Sequence, residues 1–289
     1  MIALLDGVLT SLVYLAASFV LFYVGKVAYQ LFHRDIKVVH ELAKDDNFAF
    51  SVAYIGYYIG LLLSIGSALM GESNGLLLDL MDIGVYGILS ILLLNLSVII
   101  NDKVILNKFS LKKEIIDEHN VATGFAEGAV NISTGLIILG AIHGEGYGVG
   151  GPVVTAILYW LLGMAILFVT SRVYNFITPY DIHEQINKKN VAVGIGFAGA
   201  LIAIANLIRF ALMHDFESWL VTLEDVAVDV IMGLVFLPLA RFLTDKILLP
   251  GHDLTHELVH QEKPNQGVAV IEAFAYIGGS VLITWALSS

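Results

Sequence analysis

Residues 120–142 read NVATGFAEGAVNISTGLIILGAI, and this stretch decides the fold. It opens on Asn120 and carries one carboxylate, Glu127. Otherwise it is apolar or small for the length a helix needs to cross a bilayer, about 20 residues. Asn at a helix start is a good cap, because its side-chain oxygen accepts from a free backbone N–H. Small residues just inside the start, Ala122 and Gly124, let neighbouring helices approach closely in lipid. The same opening is written three more times, as NFAFSVAYIG (47–56), NVAVGIGFAG (190–199) and NQGVAVIEAF (265–274). Asn47, Asn190 and Asn265 lead these copies; Ala49, Ala192 and Gly267 come next, then Ser51, Gly194 and Ala269.

Working outward, eight stretches are long and apolar enough to span: 4–32, 48–70, 76–106, 121–142, 152–177, 191–213, 218–249 and 266–287. Only 14 % of the 289 residues are charged and 57 % are hydrophobic, with a mean hydropathy of +0.82. A soluble domain carries roughly 25 % charged residues. The sequence therefore predicts an all-α, polytopic membrane protein. The opening segment has Asp6 and no basic leader region, so it reads as a retained span. A net charge of −11 gives no footprint for nucleic acid. The absence of Cys excludes disulfides, thiolate metal sites and a cysteine nucleophile. No P-loop, GxSxG or HExxH is present, so no motif marks the chain as an enzyme, and no cofactor is expected. Gly146-Tyr147-Gly148 lacks the preceding pore helix of a potassium filter.

Of the 15 Lys and Arg, all but Arg209 lie in or beside the connections between spans 1–2, 3–4, 5–6 and 7–8. The other connections carry Glu72, Glu145, Asp215 and Glu217. The positive-inside rule then places both termini outside. Long and short spans alternate. Asn101-Asp102-Lys103-Val104-Ile105-Leu106 matches Thr244-Asp245-Lys246-Ile247-Leu248-Leu249, Asp82 falls in register with Asp225, and Glu127 with Glu272. The chain reads as two parallel four-helix repeats, 1–142 and 152–289, each made of two related hairpins. A Gly-rich external linker, 143–151, joins them. Polar runs precede each capping Asn and carry His40-Glu41, His183-Glu184, His256-Glu257 and the inverted Glu118-His119. They predict short surface helices.

The Asn-x-Ala-x-small start, the Asp opening the long third helix and the His-Glu turn resemble the bacterial membrane domain of unknown function numbered 350, the YjfL-like inner-membrane proteins. Here the domain occurs twice and covers nearly the whole chain. The resemblance implies no activity and no catalytic residues. It implies a genomic setting beside envelope-stress, polyamine-synthesis and ATP-grasp genes.

An ionisable residue inside a span is a functional hypothesis by default. Glu127 and Glu272 sit about 10 Å in from the Asn-capped side, at 1.5 Å per residue. With a repeat axis between them, both face one central cavity and form a titrating pair for a proton or cation relay. Asp229, Asn131 and Asn95 extend this into a polar track. Asp79, Asp82, Glu224 and Asp225 open spans three and seven from the other side. They make an acidic mouth that attracts small cations or polyamines, and Arg209 is expected to pair with one of them. His252, His256 and His260 share a face if their segment is an α-helix; this is the one spacing suited to a metal, and no metal is expected. The leading expectation is a small-cation or proton-linked transporter or channel, bound to lipid and with scope for homo-oligomers. The alternative is a scaffold recruiting envelope-stress partners through its His/Glu-rich turns.

Overall fold

The structure is a computed structural model describing residues 2–70, 73–104, 112–143, 151–214, 216 and 218–288, with only the backbone for 2–6 and 102–104. The linker residues 144–150 fall outside the described residues, as do Glu72, Glu145, Asp215 and Glu217. Helices α1 (Ile2–Phe32), α3 (Phe48–Ser67), α4 (Leu76–Val104), α5 (Val121–His143), α6 (Pro152–Ile177), α8 (Val191–Leu212), α9 (Trp219–Leu243) and α10 (Gln266–Leu287) are the membrane helices. All eight are long and apolar enough to cross a bilayer, the seventh being continued to Leu248 by a π-helical turn, Thr244–Leu248. The expected surface segments are α2 (Val38–Ala43), α7 (Ile182–Asn187) and two π-helical turns, Lys112–Asp117 and His256–His260.

The short helices stand side by side in the order α3, α5, α8, α10. Their small residues explain this. A Cβ built on Gly56 would lie 2.3 Å from Cα of Gly128, and one on Gly194 2.7 Å from Cα of Ala122. Backbone therefore meets backbone, which is how helices associate in lipid without a hydrophobic drive. The long helices form a second layer: α4 lies over α3 and α5, α6 over α5 and α8, and α9 over α8 and α10, while α1 leans on α3 and α4. At both ends of the row the small residues give way to bulk. Ile55 and Leu62, 55 % and 62 % exposed, occupy the register of Gly128 and Gly135, and Phe274, 70 % exposed, that of Gly56 and Gly199. The row ends where the close-packing residues end.

One motif joins the four units on the Asn-capped side. Each Asn caps its helix by accepting from the backbone: Asn47 from Phe50, Asn120 from Ala122 and Thr123, Asn190 from Val193, Asn265 from Val268. Each also donates its backbone N–H to the carbonyl of one preceding residue, Glu41, Glu114, Gln185 or Glu257. Its side-chain Nδ2 donates to the side chain of that same residue, at 2.9, 2.8, 3.1 and 3.2 Å. In the first three units Nδ2 donates again, to the next unit: to the carbonyls of Ile115, Ile186 and Leu258, each at 2.9 Å. The chain enters these three caps through a left-handed residue, Asp46, His119 and Lys189, with φ of 48°, 50° and 61°. Pro264 precedes the fourth, and proline's fixed negative φ excludes that entry.

Candidate functional site

Helix α10 buries a stripe at a spacing of four residues: Glu272, Tyr276, Ser280 and Thr284, each 3 % exposed or less. Four-residue spacing keeps them on one helix face. Carboxylate and hydroxyl groups thus run inward along the seam that α10 makes with α8 and α9. The stripe was legible as an i, i+4 pattern, and an analysis of isolated charges passes over it.

Glu272 is the centre of this line. Arg241 Nη1 of α9 lies 2.6 Å from its Oε1, and the Tyr276 hydroxyl donates to the same atom at 3.0 Å. Tyr174 of α6 donates to the Tyr276 oxygen at 3.4 Å, while Arg241 Nη2 donates to Thr255 Oγ1 at 3.0 Å. Tyr180 covers the guanidinium, its ring centre 5.6 Å away. Burial, then the neighbouring Glu272 charge, pushes the Tyr180 phenol up to about 12, so it stays neutral. Gly196 of α8 supplies the room, since a Cβ there would lie 2.6 Å from Glu272 Oε2. Deeper along the seam, Asn206 donates to Ser280 Oγ at 3.3 Å and accepts from Arg209 Nε at 3.0 Å.

Glu127 is also buried, at 7 % exposure, and accepts from Asn131 Nδ2 at 3.0 Å. The matching register places Val98 where the second half has Arg241, and Asn131 where it has Tyr276. The two carboxylates do not face each other across an axis. Helix α8 packs against both α5 and α10 and stands between them. The small residues that drive row packing put the repeats side by side, not around a shared cavity. Asn95 belongs to a separate contact, donating to the Tyr57 hydroxyl oxygen at 3.1 Å and the Ile91 carbonyl at 2.8 Å. Asp229 is buried on α9 at 6 % exposure, and its Oδ2 accepts no hydrogen bond among the described residues.

The opposite side holds its acids at two places. Asp79 accepts from Tyr14, from Ser73 Oγ at 2.6 Å and from the Asn74 N–H at 2.8 Å, which ties down the entry to α4. Asp82 and Glu224 are exposed and Asp225 is half-buried. Helix α6 packs on both α4 and α9 and lies between the two acid pairs. Among the described residues, Arg209 bonds Asn206 and Met213 and pairs with none of these four acids.

The His stripe is not assembled. His252 precedes the helical turn and lies 3.3 Å from Glu257, while the His256 and His260 rings are 6.3 Å apart. The segment is π-helical, so a spacing of four does not superpose residues as it does in an α-helix. Among the described residues, the cluster offering three ligand atoms within 4.8 Å is His40, Glu41 and Asp45. There Glu41 already holds Asn47, and His40 lies 2.8 Å from Asp45.

The His-Glu turns divide their work. Glu41 and Glu257 turn inward to hold the caps, and Glu114 and Gln185, which the His-Glu pattern does not pick out, do so in the middle units. Glu118 and Glu184 remain at the surface, bridging Lys113 and Lys189, and Lys188.

Compared with known proteins, the family model described as Domain of Unknown Function (DUF350) matches residues 3–142 and again 148–287. A UPF0719 transmembrane protein from Aquifex aeolicus (strain VF5) is 26 % identical over 226 residues, which is 76 % of this chain and 81 % of that protein. No solved structure matches the chain.

Proposed function

We propose, from the premise that the chain belongs to the DUF350 family and carries its domain twice, that this multi-pass protein moves protons or small cations across a bacterial inner membrane. The observation that carries the reading is the buried line Glu272–Tyr276–Ser280–Thr284 inside a membrane helix. Lipid offers no water to such groups, so retaining them is costly. In the resting state Glu272 faces Arg241 and Tyr276. An arriving proton or cation competes with Arg241 for Glu272 and leaves the guanidinium to its existing partners, Thr255 and the Tyr180 ring. Tyr276, Ser280, Asn206 and Arg209 then mark the way to the opposite side, with Asp229 a further group on α9. Glu127 and Asn131 are the first half's counterpart. The acids Asp79, Asp82, Glu224 and Asp225 raise the local cation concentration at that side. The basic connections face the cytoplasm in this reading, and both termini face outside.

The test is flux in proteoliposomes loaded with a pH dye and a potassium-sensitive dye. Glu272→Gln, Glu127→Gln and the double variant are compared with the wild type, and folding is checked by size-exclusion profile. Flux is expected to be lost in the double variant and strongly reduced in Glu272→Gln. Undiminished flux in a well-folded double variant removes both residues from the mechanism. A wild type without flux under any imposed gradient sinks the transport reading.

A further inference from the structure

The end of α1 and the surface helix α2 border an open cavity of about 600 Å³. It opens where the first membrane span ends, at Phe32. Arg34, Lys37 and Lys44 line it with His33 and His40, and Ile36 and Val39 give it apolar walls. Among the described residues no carboxylate lines it. Of the neighbouring acids, Asp35 pairs with Lys112 at 2.8 Å, and Asp45 lies 2.8 Å from His40 at the edge of the cavity. Among the described residues no carboxylate pairs with Arg34, Lys37 or Lys44. Most of the other cations described on this side are paired, Lys26 and Lys263 being exceptions among the described residues. Lys112, Lys113, Lys188, Lys189, Arg241 and Lys246 all have a carboxylate partner. In a chain of net charge −11, three gathered cations that pair with no carboxylate among the described residues suit an anion from outside the chain.

The fold does not demand these cations. With His40-Glu41 set on His183-Glu184 and Asn47 on Asn190, the second half carries Ile177, Tyr180 and Asn187 where the first has Arg34, Lys37 and Lys44. The positive-inside rule accounts for cations on this side. It does not account for their convergence on one concave, apolar-walled site. Around the opening, Leu31, Phe32 and Val39 are 56 %, 52 % and 75 % exposed, and Phe48 at the start of α3 is 59 % exposed. Lys26 is exposed one turn above Gln30 on α1. Charge at the membrane boundary with exposed apolar groups beside it suits a headgroup whose acyl chains stay in the bilayer.

We propose that this cavity binds the phosphate headgroup of an anionic membrane phospholipid. Basic pockets at this depth are suited to such headgroups, each cation adding to the attraction. The site does not rest on any transport activity.

Purified full-length protein in neutral detergent is titrated with phosphatidylglycerol, with phosphatidylcholine and with inorganic phosphate. Thermal unfolding and native mass spectrometry are the readouts. Phosphatidylglycerol is expected to raise the melting temperature and to remain bound, because a ligand for the folded state stabilises it. Arg34→Gln/Lys37→Gln/Lys44→Gln is expected to weaken that binding about tenfold or more. Lys37→Tyr, which installs the second half's residue, is expected to weaken it less and guards against a folding defect in the triple variant. The control Lys188→Gln/Lys263→Gln is expected to bind as the wild type does. Equal binding by the triple variant overturns the site, as does equal loss in the control. Phosphatidylcholine that binds as tightly as phosphatidylglycerol, or inorganic phosphate that stabilises as much as the lipid, overturns the assignment to an anionic lipid.

Discussion

The two halves place a carboxylate at the same register of equivalent helices and surround it differently. In the first, Glu127 meets the Asn131 amide, with Val98 in the place of an arginine. In the second, Glu272 meets Arg241 and two tyrosines. The surface connections of the two halves have diverged in the opposite sense. The first half keeps an open basic cavity, while the second closes its surface with Tyr180 over the Arg241 guanidinium. Duplication within one chain frees one copy to concentrate charge inside the membrane and the other to present charge at its surface. The backbone is shared, so a few side chains carry the whole difference.

The largest effect tests that asymmetry directly. Arg241→Met leaves a fully buried carboxylate without its cation, and breaking a buried pair from one side costs about 3–5 kcal/mol. Glu127→Gln keeps an oxygen that can accept from Asn131 Nδ2 and is expected to cost less, on the scale of about one hydrogen bond. Combining Arg241→Met with Glu272→Gln is expected to restore much of the loss, since no charge is then stranded. Denaturant unfolding in detergent measures all of these. Equal losses for Arg241→Met and Glu127→Gln would show the two carboxylates to be energetically alike.

A smaller effect probes how the halves are joined. Asn120 of the first half reaches into the second through the Ile186 carbonyl, whereas Asn265 stands at the end of the series and holds Glu257 alone with its Nδ2. Asn120→Ala removes a cap and two further hydrogen bonds, one to Glu114 and one to the next unit, with an expected cost of about 2–3 kcal/mol. Asn265→Ala is expected to cost about 1 kcal/mol, the ordinary value of a cap. A loss at Asn265 equal to that at Asn120 would mean that the link between units adds nothing.

Much of this architecture was legible in the chain. The four Asn openings located the caps, because capping is local chemistry that an Asn and the next three N–H groups settle among themselves. The span lengths and the duplication followed from composition and spacing. What lay beyond reach was which neighbour each Asn would seize. Glu114 and Gln185 act through contacts made when surface turns pack, and their separations from Asn120 and Asn190 are unequal. The Arg241–Glu272 pair escaped for the same reason: its members lie 31 residues apart, and the repeat register offers no matching arginine in the first half. The lateral row, too, depends on which faces of four similar helices meet. The small residues announce close approach, and only the packed structure tells with whom.

The smallest expected effect sits at the surface seam between the halves. Glu118 of the first half lies 3.3 Å from Lys113 on its own side and 3.3 Å from Lys189 of the second. Lys189, then Lys113, holds its carboxyl below the usual glutamate range. A group with a depressed folded pKa contributes stability above its unfolded value, about 4.3, and loses it as pH falls through the lower folded value. Glu118→Gln is therefore expected to lower the melting temperature slightly at neutral pH, by about 1 °C given the weakness of exposed pairs. The gap between variant and wild type should close as the pH falls below about 4, and it should also shrink in high salt, which screens exposed charges. Melting curves across that pH range measure it. A gap that persists at low pH would place the contribution of Glu118 in packing, and the electrostatic seam between the halves would then rest on fewer charges than the geometry suggests.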